Sequence, residues 1–328
     1  MADGDYPSLT FQQTLAENVE SLPRRALTHL LVAAAYLFAV AHTTGVGLLP
    51  SIVAAGICAM GVLGVRRRHV ADVVLPFVVF AAFYHWLGWL GPTVTARGVH
   101  VFLPYWYDKA VFGIGDFGNR VSCNELFATN HAPAVDFITG LAYLSFLPCA
   151  CAFAAYLALV DRRRAGVRRA RRFAWTFLGV NVAGFVTYLL CPVAPPWYVA
   201  THGFGPVNPA AHASPAALVR WDAMTGIPYF SRFYGQATEV FGALPSMHCA
   251  YPTLLMLFAW EMRCKRLTLA LLGYQILMCF SAVYLQHHYV TDAVAGITYA
   301  FVGYAVGRAV ASILPLASLR AETGPRSA

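Results

Sequence analysis

Eight apolar runs, each close to the length of a bilayer crossing, constrain this chain more than any other feature. They fall at approximately 26–43, 46–65, 70–91, 134–160, 173–192, 246–262, 267–287 and 289–312. A helix needs about 20 apolar residues to cross hydrocarbon, where each backbone N–H and C=O must find its partner inside the protein. The composition agrees, with 59% of residues hydrophobic and 12% charged, about half the charged share of a soluble domain. The pattern predicts an all-α polytopic transmembrane helical bundle of about six to eight spans. It divides into a tail and first membrane hairpin over 1–69, a main membrane domain over 70–312 and a polar tail over 313–328. No internal repeat is visible.

The net charge of +8 would suit a nucleic-acid binder if the basic residues formed one patch, but they are interleaved with the spans. Alternating the spans from an inside N-terminus puts eighteen of the 23 Lys and Arg residues on one side, including the run from Arg162 to Arg172. That asymmetry marks the cytosolic face and returns the C-terminus to it. The predicted protein is therefore multi-pass with both termini cytosolic. The first 23 residues are polar and acidic and do not resemble a cleaved signal peptide, so the first span is expected to act as the signal anchor. The two long segments 92–133 and 193–245 fall on the opposite side, facing a periplasm, the exterior or a Golgi lumen. Among the eight cysteines no C-x-x-C pair occurs and most sit in apolar runs, where they read as small buried hydrophobes.

Ionisable groups at membrane depth are costly and tend to mark function. Two fragments carry them to matching ends of their spans: Gly242-Ala243-Leu244-Pro245-Ser246-Met247-His248, and the stretch from Ser281 to Asp292 with His287 and His288. On a continuous helix the four-residue offset would set His288 and Asp292 about 6 Å apart on one face. A carboxylate there fixes the imidazole tautomer and frees the other nitrogen to attack. His287 would point roughly 100° away. In the other fragment, Pro245 and Ser246 suit a helix start, whose unpaired N–H groups attract anions, with His248 close enough to protonate a departing oxygen. The competing chemistry is a zinc site built from His248, His287, His288 and Asp292, but adjacent histidines rarely aim at one ion from a regular helix, so no metal and no cofactor are expected. On the same side, Tyr105 to Lys109 reads as an interfacial amphipathic segment, with Asp108 and Lys109 as candidate headgroup contacts. Trp197 and Tyr198 are candidates to line a lipid portal, with interfacial packing as the plainer reading.

These fragments resemble the second and third signature motifs of the type-2 phosphatidic acid phosphatase superfamily, P-S-G-H and S-R-x-x-x-x-x-H-x-x-x-D. Pro245, Ser246 and His248 match the first, with Met247 in place of glycine. Ser281, His288 and Asp292 match the second, with Ala282 in place of arginine. The resemblance implies a six-helix core and metal-free chemistry, with His288 as the nucleophile that forms a phosphohistidine. Asp292 would orient it, and His248 would act as general acid and then base. The family's K-x-x-x-x-x-x-R-P motif is missing. Before span six stands Ala194-Pro195-Pro196-Trp197-Tyr198, and with the other two fragments it resembles the inositol phosphorylceramide synthase branch. Pro196 joins the candidate substrate contacts on that ground.

A charge argument points the same way. A phosphate monoester carries nearly two negative charges and is usually held by several cations, whereas a diester carries one. A site that lacks the usual arginine and lysine suits phosphodiesters. The expected activity is thus transfer of a phospholipid headgroup phosphate, such as phosphoinositol, to a lipid alcohol such as ceramide. The expected partners are that donor and acceptor within the membrane, and no nucleic acid. The alternatives are a lipid phosphate phosphatase, with water as acceptor, and a histidine-lined transporter. The second predicts ionisable residues scattered through several spans, where here they gather at one face.

Overall fold

The structure is a computed structural model that describes residues 11–43, 45, 47–66, 68–87, 94, 98–116, 118–160, 164–237 and 239–313. Arg97, Arg162, Arg163, Arg320, Arg326 and nearly all of the 313–328 tail lie outside the described residues. Within these residues side chains are described from Ala26 onward, apart from 63–69 and 164–165. The chain forms two compact units, Met1–His85 and Trp86–Ala328.

The first unit holds α1 (Phe11–Ala41), α2 (Leu48–Arg66) and nearly all of α3 (Arg68–Leu87). Small and β-branched residues make its core: Ala33, Val53, Ala54 and Ile57 pack together, with Val78, Ala81 and Ala82 of α3 closing over them. The described apolar portions of these helices are shorter than 18 residues.

The second unit is built on α6 (Pro133–Ala155, continued by a π-helical turn to Val160), α7 (Arg164–Leu190), α11 (Met247–Glu261), α12 (Lys265–Tyr284) and α13 (Val290–Ile313). Four of these segments, Pro133–Val160, Gly166–Leu190, Lys265–Tyr284 and Val290–Ile313, are long and apolar enough to cross a membrane. Their outer faces carry Leu269, Ile276, Val302 and Val306 more than half exposed, the pattern of helices whose solvent is lipid. The fifth, α11, has 15 residues and packs against each of the other four. Leu254 and Phe258 of α11 are fully buried, and Phe258 meets Phe173 of α7 edge-on at 5.2 Å.

Helix α11 gives the unit two chemically distinct ends. At its C-terminus Glu261 pairs with Arg172 and Arg169 of α7 and accepts from the Tyr304 hydroxyl of α13. At its N-terminus stands His248, about 20 Å away by helical rise. That second end is covered by the two long connecting segments, which are not plain loops. The first contains α4 (Phe102–Phe112) and α5 (Cys123–Thr129). The second contains α8 (Pro196–His202), α9 (Val219–Thr225) and α10 (Tyr229–Gln236). Single bridges link His100 to Val193 and Val193 to Gly242.

Candidate active site

Two helix starts meet at the covered end. Ser246 caps α11, its hydroxyl accepting from Cys249 N–H, and its own N–H donates to the Asp292 carbonyl of α13 at 2.9 Å. The approach is so close that a Cβ on Gly296 would lie 2.0 Å from the Ser246 carbonyl oxygen, so only glycine fits there. The Pro245 carbonyl accepts from the buried Tyr188 hydroxyl of α7 at 2.8 Å. Pro245, Ser246 and His248 are thus fixed from both sides.

The expected continuous helix through His288 and Asp292 is not present. Helix α12 stops at Tyr284, Gln286 takes a left-handed backbone conformation (φ 67°), and α13 begins only at Val290. Asn124 of α5 pins this turn by donating to the carbonyls of Val283 and His288, and the Gln286 carbonyl accepts from Trp197 N–H. Asp292 sits in the first turn of α13, and its carboxylate reaches back to accept from Tyr289 N–H at 2.8 Å. The local structure differs from a helix face, yet it sets His288 Nδ1 and Asp292 Oδ2 3.7 Å apart.

That separation is charge pairing rather than a hydrogen bond. The hydrogen bond from His288 Nδ1 goes to the Ala243 carbonyl at 2.9 Å. A carbonyl can only accept, so Nδ1 carries the proton and the lone pair of a neutral His288 lies on Nε2. His248 Nδ1 stands 3.3 Å from that nitrogen. With a lone pair on His288 Nε2, the proton between them belongs to His248. The pair therefore sets a free imidazole lone pair on His288 against an N–H donor on His248.

An aromatic shell holds the donor. Tyr143 of α6 stacks on His248 at 4.0 Å with its hydroxyl 3.2 Å from Nδ1, and Phe146 covers the same ring at 4.2 Å. His287 lies between Tyr143 and Tyr234 and its Nε2 meets the Pro215 carbonyl at 3.2 Å. It is buried among these groups and not turned to a headgroup layer. No cluster of three or more metal-ligand side chains occurs among the described residues.

The remaining candidates stand apart from the imidazoles. Asp108 is fully buried and accepts from the N–H and hydroxyl of Thr291 at the start of α13. Burial pushes its carboxyl up, and the Thr291 donors oppose that. Lys109 pairs with Glu125 at 3.0 Å and donates to the Tyr105 hydroxyl. That hydroxyl and its pairing with Glu125 hold the lysine above its ordinary range. Pro196, Trp197 and Tyr198 are buried, the last two in a cluster with Val101, Ala194 and Phe241. Arg220 is taken by Asp136 at 2.7 Å, and the Tyr284 hydroxyl joins the same carboxylate. Tyr143, Tyr188 and Asn124 were not legible beforehand: a tyrosine inside an apolar run and an asparagine in a polar turn carry no distinctive spacing.

The model of the PAP2 superfamily matches residues 120–306. The phosphoinositol dihydroceramide synthase of Bacteroides thetaiotaomicron is 31% identical over 86% of this chain and 90% of its own length. The inositol phosphorylceramide synthase catalytic subunits of Schizosaccharomyces pombe and Saccharomyces cerevisiae are 33% and 32% identical over 40% and 38% of the chain. Those matches span only 31% and 30% of the fungal proteins' own lengths. No solved structure matches the chain.

Proposed function

This chain belongs to the PAP2 superfamily, and from that membership we propose that it is a membrane phosphotransferase moving the phosphoinositol group of a phospholipid onto the hydroxyl of a ceramide-type lipid. Membership and the likeness to a phosphoinositol dihydroceramide synthase along nearly the whole chain support a headgroup phosphotransferase. The observation that carries the chemistry is the 3.3 Å contact between His248 Nδ1 and His288 Nε2, with Asp292 behind His288.

In the proposed reaction His288 Nε2 attacks the phosphorus and the bond to the diacylglycerol oxygen breaks. His248 gives its Nδ1 proton to that oxygen, and diacylglycerol leaves. Asp292 stabilises the charge that His288 gains as its Nε2–P bond forms. The acceptor hydroxyl then loses its proton to His248 and attacks the same phosphorus, so the Nε2–P bond breaks and His288 is restored. An attacking nitrogen stands about 3–3.5 Å from its target, and the proton donor must reach the oxygen beyond it. The two imidazoles therefore separate as the phosphate enters, and their direct contact is the resting state.

Charge supports a diester. Lys109 and Arg220, the cations best placed to reinforce the site, are committed to Glu125 and Asp136. The basic ends of α7 and α13, opposite the histidines, favour cytosolic termini and a reaction centre on the far side of the membrane. The test uses purified protein, phosphatidylinositol labelled in the inositol and a short-chain ceramide. Label should pass to ceramide with wild-type protein and fall at least a thousandfold with His288→Ala. Transfer at the wild-type rate by that variant defeats the mechanism, and labelled inositol phosphate as the main product makes water the acceptor.

A further inference from the structure

Far from the histidines, α7 and α13 leave between them a groove of about 1250 Å³, larger than the ~300–1,000 Å³ typical of a small-molecule pocket. Its lower end is lined by Arg168, Arg169, Arg171 and Arg172, with Glu261 the carboxylate among the described lining residues. Above them the walls turn apolar, through Trp175 and Gly179 on one side and Val302 and Val306 on the other. The apolar stretch of α7 from Trp175 to Ala183 rises about 12 Å, close to the ~15 Å of one hydrocarbon leaflet. The Thr187–Tyr299 hydroxyl contact at 2.6 Å lies at its upper end.

Cations at the mouth and an apolar trough of leaflet length match the order of phosphate and acyl chain along a glycerophospholipid.

We propose that this groove binds an anionic phospholipid of the leaflet opposite the reaction centre, its phosphate among Arg168, Arg171 and Arg172 and an acyl chain along α7 and α13. This site does not depend on the reaction proposed above. Native mass spectrometry of the full chain in detergent, titrated with dioleoyl phosphatidylglycerol, dioleoyl phosphatidylcholine or glycerol phosphate alone, tests it. Phosphatidylglycerol should bind at least tenfold more tightly than phosphatidylcholine, and glycerol phosphate should not bind. The double variant Arg168→Gln/Arg171→Gln should lose about thirty-fold in phosphatidylglycerol affinity, as expected for two basic groups facing an anionic headgroup. Gly179→Leu fills the trough where a new Cβ meets nothing within 4 Å, so it should fold normally and bind neither lipid. Equal lipid occupancy in wild type and Gly179→Leu, or no preference for the anionic lipid, overturns the proposal. So does disulfide cross-linking between two copies of a Gly179→Cys variant, which makes the occupant a second chain.

Discussion

At the scale of single residues, a backbone carbonyl fixes the tautomer of His288, the nucleophile of the proposed reaction. The Ala243 oxygen takes the Nδ1 proton of His288, and Asp292 contributes charge at 3.7 Å. His248, Ser246, His288 and Asp292 were legible in the sequence because they cluster in two short fragments at span ends. Tyr143 was not, although its hydroxyl lies 3.2 Å from His248 Nδ1. Tyr143→Phe keeps the stacking ring and removes one hydrogen bond, worth about 1 kcal/mol. The expected result is a roughly fivefold lower kcat with KM little changed. A second expectation concerns Glu239, whose carboxylate accepts from Phe241 N–H just before the Ala243 turn. Burial pushes its pKa from 4.5 to about 7. The folded state then holds this proton more tightly than the unfolded chain. Its contribution to stability declines as pH rises from about 4.5 through about 7, by on the order of 3 kcal/mol, and is level beyond. Thermal unfolding followed across pH should show that decline in wild type and a shallower one in Glu239→Gln.

At the scale of elements, hydropathy located most of the long helices to within a few residues, because burial in lipid leaves an uninterrupted apolar run, but α1 and α7 begin at Phe11 and Arg164, well before their apolar runs at 26 and 173. It missed α8, α9 and α10, which are seven or eight residues long and too short for a periodic signal. It separated the last two long helices at His288, but the left-handed Gln286 and the Asn124 bonds make a turn there in place of the helix face expected to carry His288 and Asp292. The register of α13 against α11 rests on the missing side chain of Gly296. Gly296→Ala must push the Ser246 turn away, with an expected loss of about 1–3 kcal/mol in stability. Headgroup transfer should fall more steeply than stability, because the same displacement carries His248. An unchanged melting temperature and rate would contradict this packing.

At the scale of the whole molecule, the second unit is basic at one end and holds the paired imidazoles at the other. Cys264 is exposed in the turn between α11 and α12, beside the basic end. In a variant retaining only this cysteine, a membrane-impermeant maleimide should label inverted vesicles and spare right-side-out ones. The reverse pattern would invert the topology. The histidine end has a different electrical character. Lys109 and Arg220 are each cancelled by a carboxylate of their own. These two cations are thereby closed to inorganic phosphate or sulfate diffusing past, and added salt has less attraction to screen. Under the proposed reaction greasiness and fit then weigh more than pull, and the favoured phosphate is one that arrives already anchored in the bilayer.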